Sequence, residues 1–333
     1  MFVIRRPLFA LLALGFLAGC GRHGQSDVSG DSGGAVRLEV VSQGPQAETA
    51  AAWAPIVADL HASAGLDIKP SYSPDGPAMV EALRGHTADL GWLSSEAALQ
   101  AVRTTDAEVF ARPVPLAGGR RAVLVVAPKS RVTLARVLTC DRKLSLGLGE
   151  PLSVGASLAP EAYLFAPKAF APAECFRRLR RAPGASNLDE VAAGRLDAAV
   201  VDAAWLEAAR REGKLTGQVT EIWRSPPLPV NPLIWRKDLD PAVKEKLRQF
   251  FLTYGQNDAA QRARLAAVGI AAFVPADDTH LLPAREMEAA HLWLEALARG
   301  DKAKITETRR TYDAVIAERE DLEARTRAPA TAQ

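Results

Sequence analysis

The stretch LSLGLGEPLSVGASLAP, residues 144–160, joins an apolar run to a turn of small residues and then to the start of a helical pattern. The run LSLGLG has the length and apolar character of a buried strand. Gly, Pro and Ser in the following residues indicate a turn, whose backbone N–H groups could cradle an anion. Because parallel strands need a crossover between them, a strand–turn–helix unit of this kind is typical of an α/β domain.

The same alternation extends on both sides of this unit. On the N-terminal side, strand and helix patterns alternate in the order β-α-β-α-β from VRLEVVSQG (36–44) to ADLGWLS (88–94), and SEAALQAV (95–102) opens another helix. On the C-terminal side, helical patterns near 158–170 and 186–193 precede a strand at LDAAVVD and a helix at AAWLEAARREG. We therefore expect two α/β units in series, each with a parallel sheet and helices on its faces, and a mostly helical chain from residue 241 onward.

Composition sets limits on the class of protein. The chain has 333 residues, of which 48% are hydrophobic and 24% charged, with a formal net charge of +2. This is enough for two domains with packed cores and argues against extensive disorder. Charges of both signs are mixed along the chain, so we expect no nucleic-acid partner.

The N-terminus has the features of an export signal. Arg5 and Arg6 precede an apolar run that is too short to span a bilayer comfortably, and residues 1–19 are expected to be a signal peptide. Leu17-Ala18-Gly19-Cys20 resembles a bacterial lipobox, in which Cys20 would be lipidated; a plain signal peptide with a chance cysteine is the alternative. Residues 20–35 would form a flexible Gly/Ser-rich tether.

Two cysteines remain after Cys20, at positions 140 and 175. Outside the cytoplasm such a pair can form a disulfide, and we favour that over two separate buried thiols. There is no Cys-x-x-Cys motif in the sequence, which argues against a redox site.

Several longer segments resemble the solute-binding lipoproteins of phosphonate, phosphite and phosphate ABC importers, the PhnD-like family. The resemblance covers roughly residues 36–295, and its two most specific segments are IWRSPPLPVNPLIWRKDL (222–239) and DDTHLLPAREME (277–288). The other segments that carry it are AAWAPIVADL, MVEALRGHTADLGWLS, GEPLSVGASLAPEAYLFAPKAFAPAECF, SNLDEVAAGRLDAAVVD and FFLTYG.

The resemblance implies a two-lobed type II periplasmic-binding fold of the α/β class, with a ligand cleft between the lobes that closes by hinge motion. Lobe 1 would comprise residues 36–120 plus 238–300 and lobe 2 residues 121–237, with crossovers near 121–128 and 230–237. Residues 301–333 would form a C-terminal helical extension and tail. Such clefts direct helix N-termini toward an anion.

The sequence departs from the family at positions that grip the ligand. The family's anion turn typically reads Ser-Thr-Ser-Gly, whereas this chain has Ser153-Val154-Gly155-Ala156. Family aromatic, histidine and aspartate positions fall on residues without those side chains, namely Gly76, Ala98, Gly184 and Asn231. The scaffold is retained, but the side-chain pattern for phosphonate is reduced.

The candidate ligand-binding residues lie where strands of the two predicted sheets end, since α/β clefts bind ligands at the carboxyl ends of their strands. Each is also a residue type common in helix caps and turns. The candidates are Ser42, Gln43, Ser73, Asp75, Ser94, Ser95, Ser153, Val154, Gly155, Ala156, Asn187, Asp202 and Asn231, with Glu96 and Ser157 nearby.

Catalysis has little support in the sequence. Gly147-x-Gly149 lacks the third glycine of a dinucleotide motif, Pro151 stands where a nucleophile elbow needs glycine, and the histidines show no zinc-ligand spacing. We therefore expect no enzyme activity, no cofactor and no metal.

The main functional hypothesis is a monomeric, lipid-anchored binding protein at the periplasmic face of a bacterial membrane. It would deliver a small anionic ligand to an ABC permease and its ATPase. The alternative is a degenerate binding protein that acts as a ligand sensor or protein-interaction module, which the reduced anion turn favours.

Overall fold

The computed structural model describes residues 34–42, 44–116, 118–215 and 217–327. The described residues form eleven strands: β1 Val36–Val41, β2 Ile68–Ser73, β3 Leu90–Trp92, β4 Ala107–Pro115, β5 Ala122–Val126, β6 Ser145–Leu148, β7 Arg178–Arg181, β8 Ala198–Asp202, β9 Thr220–Arg224, β10 Leu233–Arg236 and β11 Ile270–Pro275.

The same residues form eleven α-helices: α1 Gln46–Ala64, α2 Gly76–Arg84, α3 Ser95–Thr104, α4 Leu134–Val137, α5 Pro172–Cys175, α6 Gly184–Ala192, α7 Ala203–Arg211, α8 Pro241–Thr253, α9 Ala259–Ala267, α10 Leu282–Arg299 and α11 Lys302–Arg327. A further helical stretch, residues 154–168, is built largely of wide π-type turns and ends in a 3₁₀ turn. None of the helices in the described residues is long and apolar enough to cross a membrane.

The strands form two sheets. The first has the order β11-β4-β10-β3-β1-β2 and the second the order β7-β6-β8-β5-β9. The βα units pair in parallel, as β1 does with β2 and β3, and β6 with β7 and β8. The strands next to the crossings, β5 and β10, run antiparallel to their neighbours. The predicted α/β class is confirmed, with mixed rather than purely parallel sheets.

The chain passes between the sheets twice. It leaves the first sheet after β4, enters the second at β5, and returns between β9 and β10. The connections are therefore residues 116–121 and 225–232, a few residues before the predicted crossovers, because β5 and β10 are already strands of their destination sheets. Both connections lie at the strand ends where the candidate site was predicted.

Each sheet has its own core. The first core includes Leu38, Val40, Leu90 and Trp235, and the second includes Leu124, Leu146, Phe165 and Val200. A smaller cluster covers the other face of the second sheet and includes Val123, Val125, Leu188, Val191, Ala199, Val201 and Leu206. Burial of apolar area, at about 25 cal/mol per Å², is the main force holding each lobe together.

Helix α10 joins the two cores. Ala284, in its first turn, belongs to the first core, whereas Met287, Ala290 and Trp293 belong to the second. Helix α11 packs on α10 and adds Tyr312 to the second core. The predicted boundary at residue 300 placed α10 in lobe 1, whereas most of its buried residues belong to the second core. An amphipathic pattern shows which face of a helix is buried but not which sheet covers it.

The cysteine pair expected from the sequence is present in the structure. Cys140, just after α4, is joined to Cys175, the last residue of α5, and Cys175 belongs to the second core. The disulfide therefore fixes two peripheral segments of the second lobe to each other.

Candidate ligand-binding site

The first edge of the site is formed by the strand ends of the first sheet. Val41 of β1 lies beside Ser73 of β2, and Val40 lies beside Trp92 of β3. Strand β10 runs the opposite way, with Leu233 beside Trp92, so that Asn231 precedes it at the same edge. The register therefore brings Ser42, Ser73, Ser94 and Asn231 along one line. We call this line, together with the starts of α2 and α3 that follow Ser73 and Ser94, the first edge.

Three polar atoms of the first edge are buried without a hydrogen-bond partner in the described part of the chain. They are Oγ of Ser42, Oε1 of Glu96 and Nδ2 of Asn231. Buried polar atoms in folded proteins are nearly always hydrogen-bonded, so these atoms are candidates for contact with a bound molecule. Two of them can donate to an anion, and the Glu96 oxygen can accept a hydrogen bond.

Other predicted residues of the first edge already have structural partners. The Asp75 carboxylate caps α2 by accepting from the N–H of Ala78 at 3.0 Å, and the Ser73 hydroxyl accepts from the N–H of Asp75 at 3.0 Å. The Ser94 hydroxyl caps α3. The Ser95 hydroxyl donates to the carbonyl of Val230 at 3.2 Å. Gln43 lies outside the described residues.

The second edge is formed by the turn after β6, residues 149–157, and the residues that border it. Here the chain folds back on itself, and the N–H of Gly149 donates to the carbonyl of Ala156 at 2.9 Å. A Cβ atom on Gly149 would lie 2.6 Å from Cβ of Ala156, so only glycine allows this approach. The buried Ser157 hydroxyl donates back to the carbonyl of Gly149 at 2.9 Å.

The turn presents backbone donors to the cleft. Val154, Gly155 and Ala156 are the first residues of the helical stretch, and the first N–H groups of a helix have no partner within it. The N–H of Ser157 is the first to be used, donating to the carbonyl of Ser153 at 2.9 Å. The Ser153 hydroxyl makes no capping hydrogen bond. Three N–H groups and one hydroxyl therefore converge at the start of this stretch.

A charged pair, not identified from the sequence, borders the turn. Nε of Arg120 donates to Oδ2 of Asp202 at 3.1 Å. A Cβ atom built on Gly155 would lie 3.8 Å from that Asp202 oxygen and 3.9 Å from Nη2 of Arg120. Asp202 also caps α7 by accepting from the N–H of Trp205 at 3.1 Å. The predicted candidate Asp202 is thus at the site, but its carboxylate has partners in the protein.

Asn187 has a structural role instead of the predicted ligand contact. It is fully buried, and its Nδ2 donates to the carbonyls of Leu148 and Ala182 at 2.9 and 3.0 Å. Its Oδ1 accepts from Arg180. Both amide hydrogens are therefore used to tie α6 to the end of β6, which leaves no free donor for a ligand.

A buried ionic network supports the turn from behind. Glu161 has a side chain only 3% exposed; Oε1 accepts from Arg181 at 3.1 Å and Oε2 lies 2.7 Å from Nδ1 of His291 on α10. Arg181 also donates to the Ser157 hydroxyl at 3.0 Å. The hydrogen bond to Glu161 raises the pKa of His291 above its usual value of 6.5 despite the opposing effect of burial. The network links the turn to α10.

The two edges meet at the returning connection, residues 225–232. The N–H of Leu228 donates to the carbonyl of Arg120 on the second edge at 2.8 Å. Three residues later, the carbonyl of Asn231 accepts from Nε1 of Trp92 on the first edge at 2.9 Å. The Val230 carbonyl is held by His280, and burial lowers the pKa of that histidine. The returning connection is therefore hydrogen-bonded to both edges.

Most of the tryptophans near the two edges belong to the cores. Trp53, Trp92, Trp235 and Trp293 are buried in the cores, whereas Trp205 beside Asp202 is 39% exposed. In the described residues there is no group of three or more His, Cys, Asp or Glu side chains placed to hold a metal ion.

Comparison with known proteins places this chain in a family of binding proteins. Residues 38–281 match the family model described as the periplasmic substrate-binding protein of the phosphonate ABC transporter. The phosphonates-binding periplasmic protein of Escherichia coli strain K12 is 28% identical over 257 residues, which is 76% of this chain and 75% of that protein.

Solved structures show the same fold. A binding protein component of an ABC phosphonate transporter from Pseudomonas aeruginosa gives a TM-score of 0.64 at 26% identity, over 87% of this chain and 99% of that one. PhnD1 from Prochlorococcus marinus, solved with methylphosphonate, gives a TM-score of 0.58 at 16% identity, over 76% of this chain and 96% of that one. At 16% identity the likeness concerns the fold alone.

Proposed function

This chain belongs to the periplasmic substrate-binding proteins of phosphonate ABC transporters, and we propose that it is a lipid-anchored member that captures a small phosphorus oxyanion between its two edges. Members of this family bind and deliver substrates and are not enzymes. The type II periplasmic-binding fold supplies the two lobes that such a function requires.

The observation that carries the proposal is the set of unpaired donors on the second edge. The N–H groups of Val154, Gly155 and Ala156 open a helical stretch, and the Ser153 hydroxyl is free of capping. Unpaired N–H groups and the helix dipole favour negative charge at such a position. A tetrahedral oxyanion has several acceptor oxygens, which suits donors that converge from different directions.

The first edge supplies the complementary contacts. The unpaired Ser42 hydroxyl and Asn231 amide can donate to oxygens on the other side of the ligand. The unpaired Glu96 oxygen can accept from a P–OH group or from an ammonium group on the ligand. We therefore propose phosphonate, phosphite or phosphate as the ligand class, with phosphonates favoured by the family.

Delivery would use the two connections as a hinge. Residues 116–121 and 225–232 are the segments at which the lobes can rotate toward each other, and ligand contacts on both edges would stabilise the closed form. The closed monomer would then present its lobes to the ABC permease, whose ATPase supplies the energy. No cofactor, metal or nucleic acid enters this proposal.

The membrane anchor is proposed from the N-terminal sequence. Cys20 and the tether of residues 20–35 lie almost wholly outside the described residues. Acyl chains on Cys20 would hold the protein at the membrane surface without a spanning helix. Mass spectrometry of the mature N-terminus tests this: a diacylglyceryl-modified Cys20 supports the anchor, and an unmodified N-terminus contradicts it.

Ligand binding is tested on the soluble form starting at Gly21. Thermal shift and calorimetry would be run with methylphosphonate, phosphite, phosphate, a sulfonate and a small amine. A ligand at 100 times its dissociation constant stabilises the fold by about 2.7 kcal/mol. Binding of a phosphorus oxyanion, weakened in Ser153→Ala but unchanged in the exposed control Ser63→Ala, supports the proposal.

Two other outcomes would change the assignment. Binding of only a sulfonate or an amine would keep the transport role and replace the ligand class. No binding across the panel would favour the sensor or interaction module, the alternative supported by Val154 and Gly155, which have no hydroxyl group.

A further inference from the structure

Arg120 occupies a fixed position beside the anion turn. It lies at the end of the outgoing connection, and its carbonyl accepts from the N–H of Leu228 at 2.8 Å. The next residues are held in the same way, because the N–H of Ala122 donates to the Ser225 hydroxyl at 2.9 Å. Because Leu228 belongs to the second core, the backbone of Arg120 is held at the second-lobe end of the outgoing connection.

The guanidinium of Arg120 has unused donors at the turn. Nε is bonded to Asp202, but no hydrogen bond of Nη1 or Nη2 is found within the described part of the chain. Nη2 lies 3.9 Å from the position that a Cβ on Gly155 would take. The side chain is 55% exposed, so it can reorient toward a ligand at little energetic cost.

The Asp202 carboxylate places a negative charge beside the turn, so binding of an anion there requires a nearby cation. Its Oδ2 would lie 3.8 Å from a Cβ at Gly155, on the side where the free N–H groups begin. The carboxylate is held there by its hydrogen bond to the N–H of Trp205. An anion bound at the turn would be repelled by this carboxylate unless a positive charge compensated for it.

We propose that Arg120 is the cationic ligand contact of this binding protein, in place of the side-chain hydroxyls that Val154 and Gly155 lack. This inference rests on the proposed function. A guanidinium offers paired N–H donors that match two oxygens of a phosphonate group, and charge-assisted hydrogen bonds of this kind are stronger than those from hydroxyls. Gly155 is part of the arrangement, since the missing side chain leaves space beside Nη2.

The test compares Arg120→Gln with a matched loss of charge elsewhere on the same lobe. Arg224 on β9 is paired with Glu221, and Arg224→Gln removes one positive charge away from the turn. Calorimetry with methylphosphonate should show a dissociation constant about tenfold or more higher for Arg120→Gln, and unchanged for Arg224→Gln. The affinity of Arg120→Gln should also depend less on salt concentration.

Two further variants protect the test against loss of folding. Arg120→Lys keeps the charge but loses the paired donors, so its affinity should lie between those of the wild type and Arg120→Gln. In the double variant with Asp202→Asn, which keeps a capping side chain, part of the lost affinity should return because the repulsion is removed.

The possible results distinguish a failure of the proposed Arg120 contact from a failure of the proposed binding function. Wild-type affinity in a folded Arg120→Gln, or an equal loss in Arg224→Gln, would overturn the role of Arg120 and leave phosphonate binding intact. Failure of the wild-type protein to bind methylphosphonate, phosphite or phosphate would overturn the proposed function, and this inference with it.

Discussion

The two edges of the cleft differ in whether their buried polar side chains keep unpaired atoms. On the first edge, Oγ of Ser42 and Nδ2 of Asn231 are buried atoms without a hydrogen-bond partner among the described residues. On the second edge, Asn187, Ser157 and Asp202 are all hydrogen-bonded within the protein. The residue types are similar, but the first set is available to a ligand and the second holds the fold together.

The difference follows from how each edge is built. The second edge carries a turn that folds back on Gly149, and the buried carbonyls of Gly149 and Leu148 accept hydrogen bonds from Ser157 and Asn187. A buried carbonyl without a partner would destabilise the lobe. We therefore expect the second edge to recognise a ligand through backbone N–H groups, the Ser153 hydroxyl and Arg120, and the first edge to use the side chains of Ser42 and Asn231.

The largest expected effect comes from Glu161, which lies behind the second edge. Glu161→Ala leaves Arg181 and His291 without their shared partner, and His291 has a side chain only 12% exposed. Breaking a buried ion pair from one side destabilises a protein by about 3–5 kcal/mol. We expect a loss near the lower end, about 3 kcal/mol, in urea denaturation monitored by circular dichroism, because Arg181 reaches solvent.

Glu295→Ala is the matched control on α10. Its carboxylate lies 3.8 Å from Nε2 of His291 and is 42% exposed. Its removal should change the free energy of unfolding by less than about 1 kcal/mol. Equal effects of the two substitutions would mean that the network contributes no more than a surface ion pair.

Asn187→Ala should separate stability from binding on the second edge. The substitution leaves the carbonyls of Leu148 and Ala182 without their donor, and we expect a loss of about 2 kcal/mol of stability. The affinity of the folded protein for methylphosphonate should stay within about twofold of wild type. A large loss of affinity with unchanged stability would restore Asn187 as a ligand contact. Ser186→Ala, next to it, is the control with a small effect on both.

Asn231→Ala should behave in the reverse way on the first edge. Nδ2 of Asn231 has no partner among the described residues, so its loss should leave the melting temperature unchanged. One lost hydrogen bond to the ligand should weaken binding of methylphosphonate by about fivefold, measured by calorimetry. Ser94→Ala is the matched control, since it removes a helix cap and should cost about 1 kcal/mol of stability without affecting affinity.

The sequence predicted the scaffold well because alternation of strands and helices depends on local patterns. Strands β4 and β7 were not predicted. Strand β4 contains Pro113 and Arg112, and three of the four residues of β7 are arginines. Their positions depend on partners farther along the chain: β4 pairs with β10 and β11, and Arg181 of β7 bonds Glu161, which lies twenty residues earlier. Local pattern carries no information about such partners.

The site was predicted less completely because it also depends on partners that the local sequence pattern does not show. The turn at Ser153 follows from local sequence, but the choice between a ligand contact and a cap depends on which atoms remain unpaired. Arg120 precedes the turn by more than thirty residues and reaches it only through the crossing between sheets. Its position before the first strand of the second lobe was the one available signal.

The two histidines near the edges should give the smallest effects, with opposite dependence on pH. The pKa of His291 is raised by its hydrogen bond to Glu161, so its stabilising contribution is fully present below about pH 6.5 and is lost as the pH rises through the folded-state pKa. The pKa of His280 is lowered by burial, so its contribution is present above about pH 6.5 and is lost as the pH falls through the folded-state pKa.

Unfolding free energies of His291→Gln and His280→Gln, measured by urea denaturation between about pH 5 and pH 8, test this contrast. The difference between wild type and His291→Gln should be largest at the acidic end, because only protonated His291 gains from Glu161. The difference for His280→Gln should be largest at the alkaline end, because burial favours the neutral form of His280, which bonds the Val230 carbonyl. Each change should be a fraction of the Glu161→Ala loss. Parallel pH profiles for the two variants would mean that both histidines are solvated alike. The ionic network of Glu161 behind the second edge would then make no pH-dependent contribution through His291 on α10.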